Sequence, residues 1–216
     1  MLNRLKPETL AKLKSASQEQ QVSKGTMLFH EGKIPQHVYF VIAGKLKLYT
    51  TDQLGREQIV HLATNGDIMG YRAVLGGDSL SCSCSALEDS LVMGVPKETF
   101  LNALDTDAEF SFAVIRLLTQ ELRDAEHHLA GLARKSVRAR IAEVLLILAD
   151  KFGYESDGET INVSLSREEM AGLVGTATET AIRLLHSLRD DGLLATTGKK
   201  IRLIDKSGLK RTAQDM

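Results

Sequence analysis

The hydrophobic pattern changes period twice along the chain. "KPETLAKLK" reads as a short helix, with Pro7 at its first position and Leu10 and Leu13 on one face. From about Val22 to Val95 the runs become short and rich in Val, Ile, Phe and Tyr: "GTMLFHEG", "HVYFVIAGKLKLYT", "EQIVHLAT", "SLSCSCSAL" and "SLVMGV". Glycines punctuate them at 25, 32, 44, 55, 66, 70, 76 and 77. Short strands joined by glycine turns predict a β-sandwich or small barrel. "PKETFLNAL" restores helix, and residues 107 to about 134 predict one long helix. There Ile115, Leu118, Leu122, Ala125, Leu129 and Leu132 follow one another at intervals of 3, 4, 3, 4 and 3, which is an a/d heptad seam. So narrow a stripe suits a partner helix; packing on the chain's own sandwich is the other use for it.

Beyond residue 134 the elements are helical again. "SVRARIAEVLLILADKFG" is amphipathic and closes at Gly153, and "YESDGETINV" is a polar turn entering a short strand. "LSREEMAGLVG" begins with Ser166 and Glu169, spaced as a capping box. "GTATETAIRLLHSLRDDG" is the next helix, and "LLATTGKKIRLI" reads as a β-hairpin. Two short helices joined by "VGTA" and followed by a hairpin form the pattern of a winged helix-turn-helix.

In that motif the second helix enters the DNA major groove, so its front must be polar and its rear apolar. Ala177, Ala181, Leu184, Leu185 and Leu188 suit the rear; Thr178, Glu179, Ile182, Arg183 and His186 suit the front. Arginine forks onto guanine O6 and N7, and glutamate accepts from the cytosine amino group. Lys199 and Lys200 at the hairpin tip suit a phosphate strand. The candidate DNA contacts are Ser166, Thr176, Thr178, Glu179, Arg183, Lys199 and Lys200. Two plainer uses compete for Glu179. Thr176 and Glu179 are spaced as a capping box, and Glu179 with Arg183 is an i, i+4 pair worth about 0.3–0.5 kcal/mol.

Charge narrows this picture. The chain carries 27 Lys+Arg and 28 Asp+Glu, a net of −1. Residues 1–134 hold 14 against 16 and residues 135–216 hold 13 against 12, so any DNA footprint is a local patch and not a basic domain. With 43% hydrophobic residues the chain can build packed cores. The opening "MLNRLKPETL" lacks the apolar run of a secretory segment, and no stretch approaches the ~20 apolar residues of a membrane helix. Two cysteines, Cys82 and Cys84, complete an expectation of a cytoplasmic, reducing environment.

Taken together, "LSREEMAGLVGTATETAIRLLHSLRDDGLL", "HEGKIPQHVYFVIAGKLKLY" and "NGDIMG" resemble bacterial CRP/FNR-type transcription regulators over nearly the whole chain. The resemblance implies an α+β architecture: a cyclic-nucleotide-binding-like β-roll with a dimerisation helix (residues 1–134, the helix about 107–134), then a winged helix-turn-helix (135–216). It implies a homodimer on a near-palindromic double-stranded DNA site, the helix seam as dimer interface, a hinge near Ala133 to Ser136, and RNA polymerase as a partner. A membrane partner and an enzymatic activity are not expected: no cupin-like histidine cluster and no phosphate loop are present. A sensor module without DNA function is the alternative.

The sensor half departs from its cyclic-AMP-binding relatives. Tyr71 stands where they carry a ribose-binding glutamate, and Leu80 at or next to their phosphate-binding arginine, followed by Ser81. A cyclic phosphate without that arginine loses a charge-assisted bidentate partner. Arg72, read as part of a regular strand, would point to the opposite side. The effector pocket is thus placed at Gly70, Tyr71, Leu80, Ser81 and Cys82, with cyclic AMP not its ligand. The cofactor is left unknown. "CSC" cannot supply the four cysteines of an FNR-type iron–sulfur cluster. Cys82 and Cys84 suit buried positions on one strand face, and no spacing singles out His30, His37 or His61 as a haem ligand. In "TETAIR", Thr178 replaces an arginine of the CRP type, which brings the segment closer to FNR. Glu179 and Arg183 would read a G·A-containing core, with discrimination at the outer position differing from CRP.

Overall fold

The computed structural model describes residues 6–215. Residues 1–5 and 216 lie outside the described residues, and with them half of the opening segment "MLNRLKPETL". The elements run α1 (Pro7–Ala16), β1 (Gln18–Val22), β2 (Met27–Phe29), β3 (His37–Ala43), β4 (Lys45–Thr51), β5 (Glu57–Thr64), β6 (Ile68–Met69), α2 (Tyr71–Gly76), β7 (Ser83–Ala86), β8 (Ser90–Pro96), α3 (Lys97–Thr106) and α4 (Ala108–Arg134). Then follow α5 (Val137–Phe152), α6 (Arg167–Val174), α7 (Thr178–Asp190), β9 (Leu194–Thr197), β10 (Lys200–Leu203) and α8 (Lys206–Thr212). Two compact units result. One runs from the first described residue through Thr50 and includes Val60–Arg123; the other joins Thr51–Ile59 to the chain from Asp124 onward.

The first unit contains the β-roll. Its strands form two four-stranded sheets, in the orders β1-β8-β3-β6 and β2-β7-β4-β5. The β1/β8, β3/β8, β3/β6, β2/β7 and β4/β7 pairs are antiparallel, with Tyr39 opposite Gly94 and Leu48 opposite Cys84. The period of two sorts side chains into separate cores. On β3, Val38 and Phe40 join Leu13, Phe100, Phe110 and Val114 from α1, α3 and α4. Val41 faces the other way, into a core with Leu46, Leu48, Met69, Cys82 and Cys84, against which Tyr39 packs. Phe100 and Phe110 meet edge to face at 5.6 Å. Asp107 starts α4: its carboxylate accepts from the backbone N–H groups of Glu109 (3.1 Å) and Phe110 (3.2 Å), and from the Thr9 hydroxyl. The Thr9 bond, ahead of the backbone donors, holds the Asp107 carboxyl below its usual range.

Two helices depart from the sequence reading. Residues 71–76 form α2, where a strand was expected, because Gly70 and Gly77 adopt left-handed φ of +80° and +71° and bracket a helical turn that buries Tyr71 and Val74. Arg72 therefore does not lie on the far side of a strand but on α2, and it lines the same cavity as Tyr71. The last helix, α8, was not foreseen: Asp205 caps it by accepting from Gly208 N–H, and Leu209 is fully buried.

In the second unit α5 packs on α6, α7 and α8. Ser136 caps α5 through Ala139 N–H, and Gly153 ends it. β9 and β10 form the expected hairpin, joined by Gly198 and Lys199. The polar turn before α6 is tied by Asp157, which accepts from the hydroxyl and N–H of Thr160 and from Glu159 N–H.

Candidate nucleic-acid interface and effector pocket

The turn between α6 and α7 aims the second helix. Ser166 and Glu169 close a reciprocal capping box at the start of α6, as their spacing predicts. The helix ends at Gly175, whose φ of +73° is left-handed and whose N–H returns to Ala171 O. Arg140 donates to Gly175 O from α5 (3.4 Å), and Arg138 donates to Ser187 and Asp191 at the far end of α7. The helix is thus braced at both ends from α5. Thr176 does not cap α7. Ala177 is the N-cap residue, no side chain closes it, and Ala177 itself is exposed.

Ala181, Leu185 and Leu188 on α7 are completely buried, while Leu184 is half-buried. Glu179, Arg183 and His186 are exposed on the opposite side and share one shallow open face with Ile182. Glu179 and Arg183 engage in no ion pair or hydrogen bond among the described residues, although four positions apart on one helix. Their competing structural uses, as cap and as surface pair, are not realised, and both side chains point their polar ends outward. Thr178 sits at the first helical position, half-buried.

The hairpin lies in the same unit. Lys199 is at its tip, exposed. Lys200 is already engaged, its Nζ 2.8 Å from Glu155 Oε2. Arg167, not singled out from the sequence, donates from the start of α6 to Gly198 O at 3.0 Å. Its other terminal nitrogen, Nη1, is buried without a partner, and burial lowers its pKa. An arginine directly after an N-cap serine was the only available signal for this brace.

The predicted pocket residues do come together. Gly70, Tyr71, Leu80, Ser81 and Cys82 line one cavity of about 30 Å³, with Phe29, His61, Arg72 and Glu121 among its other walls. Tyr71 is 2% exposed. Its hydroxyl and Glu121 Oε2 are buried without a hydrogen-bond partner, and Arg72 Nε lies 3.6 Å from that carboxylate oxygen. Burial first, and then the Glu121 carboxylate, raise the Tyr71 pKa well above the usual phenol range. Glu121 reaches the cavity from α4, fifty residues away in sequence, so spacing could not reveal it. Cys82 lies just before β7 and Cys84 within it; both are free and buried, and burial pushes both thiols up. That favours the inert thiol form. Among the described residues no group of three or more His, Cys, Asp or Glu could hold a metal ion.

On α4, Ile115, Leu122, Leu129 and Leu132 are 54%, 61%, 65% and 38% exposed. Ala125 is also exposed, whereas Leu118 packs partly against the roll core. Phe112, 60% exposed, adds a further exposed apolar side chain three residues before Ile115, off the strict 3, 4 alternation. No helix among the described residues is long and apolar enough to cross a membrane.

Comparison with known proteins agrees with this layout. Residues 19–107 match the cyclic nucleotide-binding domain family, and residues 139–212 match the Crp-like helix-turn-helix domain family. The chain belongs to the CRP/FNR family of transcription regulators. It is 26% identical to a CRP-like cAMP-activated global transcriptional regulator of Mycobacterium tuberculosis, over 97% of this chain and 94% of that one. It is 27% identical to the fumarate and nitrate reduction regulatory protein of Escherichia coli, over 89% of this chain and 77% of that one. The structure of FixK2 from Bradyrhizobium japonicum superposes with a TM-score of 0.82 at 25% identity, covering 93% of this chain and 98% of that one. The C-terminal helix-turn-helix is a DNA-binding domain, and the chain is a DNA-binding transcription regulator.

Proposed function

We propose that the protein acts as a homodimer that reads a near-palindromic DNA site, one α7 helix per half-site. Residues 1–134 serve as sensor and dimerisation domain and residues 135–216 as the DNA-binding domain. The observation that carries this reading is the two-sided character of α7. Its rear is completely buried at Ala181, Leu185 and Leu188, and its front holds an unpaired glutamate and an unpaired arginine. Arg183 reads the guanine of each half-site and Glu179 accepts from a cytosine amino group, while Lys199 at the wing tip meets phosphate. The exposed apolar stripe of α4 supports pairing with the same helix of a second copy, which sets the two α7 helices about 34 Å apart. Family membership also supports contact with RNA polymerase and a cytoplasmic place of action.

The effector differs from that of the cAMP-activated mycobacterial relative. A small-molecule site generally encloses ~300–1,000 Å³, and the cavity at Tyr71 encloses about 30 Å³. Tyr71 and Leu80 line it as buried side chains, and Arg72, the cation on its wall, is already engaged 3.6 Å from the Glu121 carboxylate instead of being free for a cyclic phosphate. Cyclic AMP is therefore not the ligand.

Arg183→Ala tests the base-reading role. Arg183 is exposed, so the fold survives. Loss of one bidentate contact costs about 1–3 kcal/mol, and the selected site should lose its preference at a single base pair of each half. An unchanged preference at that pair removes Arg183 from the reading.

A further inference from the structure

The front of α7 carries one side chain that a purely polar, phosphate-contacting surface does not explain. Ile182 lines the same open face as Glu179, Arg183 and His186, at the edge of that polar group. It is half-buried, whereas the residues that hold α7 to the rest of the unit, Ala181, Leu185 and Leu188, are completely buried. Part of a β-branched hydrocarbon is therefore left to water on the surface that approaches DNA. One helical turn earlier, at the i−4 position, stands the half-buried Thr178, whose side chain carries a second methyl group. Ile182 is stiff about χ1 in a helix, so its methyl group is held in place before any partner arrives.

In the major groove the thymine 5-methyl group is the apolar feature of the base edges. We propose that Ile182, flanked by Thr178, forms an apolar platform that selects a thymine next to the guanine read by Arg183. This deepens the DNA-reading proposal above and rests on it. The chemistry divides the half-site between neighbouring side chains. Arg183 supplies charge-assisted donors to the guanine, and Ile182, one residue before it, supplies a surface that favours a methyl group and leaves the hydrogen-bonding edge of cytosine or adenine without a partner. Thr178 also explains the departure from the CRP type. An arginine there would extend the polar reading surface, while a threonine shortens it and adds a methyl group.

The test isolates the methyl group. Duplexes selected by the wild-type protein are remade with deoxyuridine in place of the thymine beside the guanine. That removes one methyl group and leaves every hydrogen-bonding atom unchanged. Binding is followed by fluorescence anisotropy for wild type and for Ile182→Ala, with circular dichroism to confirm that the variant is folded. Wild type should bind the deoxyuridine duplex roughly four-fold more weakly per half-site, the equivalent of about 0.8 kcal/mol for one buried methyl group. Ile182→Ala should bind the thymine and deoxyuridine duplexes equally well. A wild-type site with no preferred thymine beside the guanine, or a wild type indifferent to deoxyuridine, overturns the role of Ile182 and leaves DNA reading intact. A selected site whose guanine preference survives Arg183→Ala overturns both.

Discussion

Gly175 offers the sharpest test of how the fold aims α7. It stands at the C-terminal end of α6 with φ at +73°, and its N–H closes the helix on Ala171 O. An L-residue pays about 1–2 kcal/mol to adopt that conformation. Space adds little to the cost: a Cβ on Gly175 would lie 3.3 Å from a terminal methyl group of Leu132, which can shift by a few tenths of an ångström. Gly175→Ala should therefore destabilise by about 1–2 kcal/mol, which lowers the melting temperature by roughly 2–8 °C for a chain of this length. Gly175→Asn should cost less, because asparagine tolerates the left-handed region. Thermal unfolding of the two variants beside wild type, at one protein concentration, gives the comparison. The same variants should weaken DNA binding, since a strained turn changes the direction of α7. An alanine variant that melts with wild type, or an asparagine variant no better than alanine, would refute the backbone argument.

Three further outcomes follow from the other sites. Leu122→Glu places a charge on the exposed α4 stripe; losing a buried leucine from both copies removes about 3–6 kcal/mol, so the dimer should dissociate at least 100-fold more readily, as read by light scattering on a size-exclusion column. Cyclic AMP should give no calorimetric signal at micromolar concentrations, and micromolar affinity would overturn the exclusion of cyclic AMP as the ligand. The Asp157 carboxyl is held at about 2 by its bonds from Thr160 and Glu159. Its folded-state pKa lies below the unfolded value, so its contribution to stability is complete above about pH 4 and is lost as pH falls from there towards 2. Asp157→Asn should flatten that part of the acid-unfolding profile.

The parts of this structure that were legible in the sequence are those set by local rules. Period-two strands with glycine turns, the heptad spacing on α4, the Ser166–Glu169 capping box and the hairpin after α7 each follow from a few neighbouring residues. The amphipathic sorting of α7 was legible as well, except at Ala177, which caps the helix instead of packing beneath it. What escaped depends on long-range placement or on brevity. Residues 71–76 are too few to show a helical period, and only the left-handed Gly70 and Gly77 define α2. Glu121 meets Arg72 because α4 runs past α2 in space. Arg167 braces the wing tip across thirty-one residues. The short α8 hides its one buried anchor, Leu209, in a polar stretch.

The most direct measurement is a selection by purified, ligand-free protein from a randomised duplex pool at near-physiological salt. Enrichment of a two-fold symmetric site is expected, its half-sites about one helical turn apart and each with a guanine that Arg183→Ala no longer prefers. A selected site that is asymmetric, or a guanine preference that survives Arg183→Ala, would contradict DNA reading by paired α7 helices.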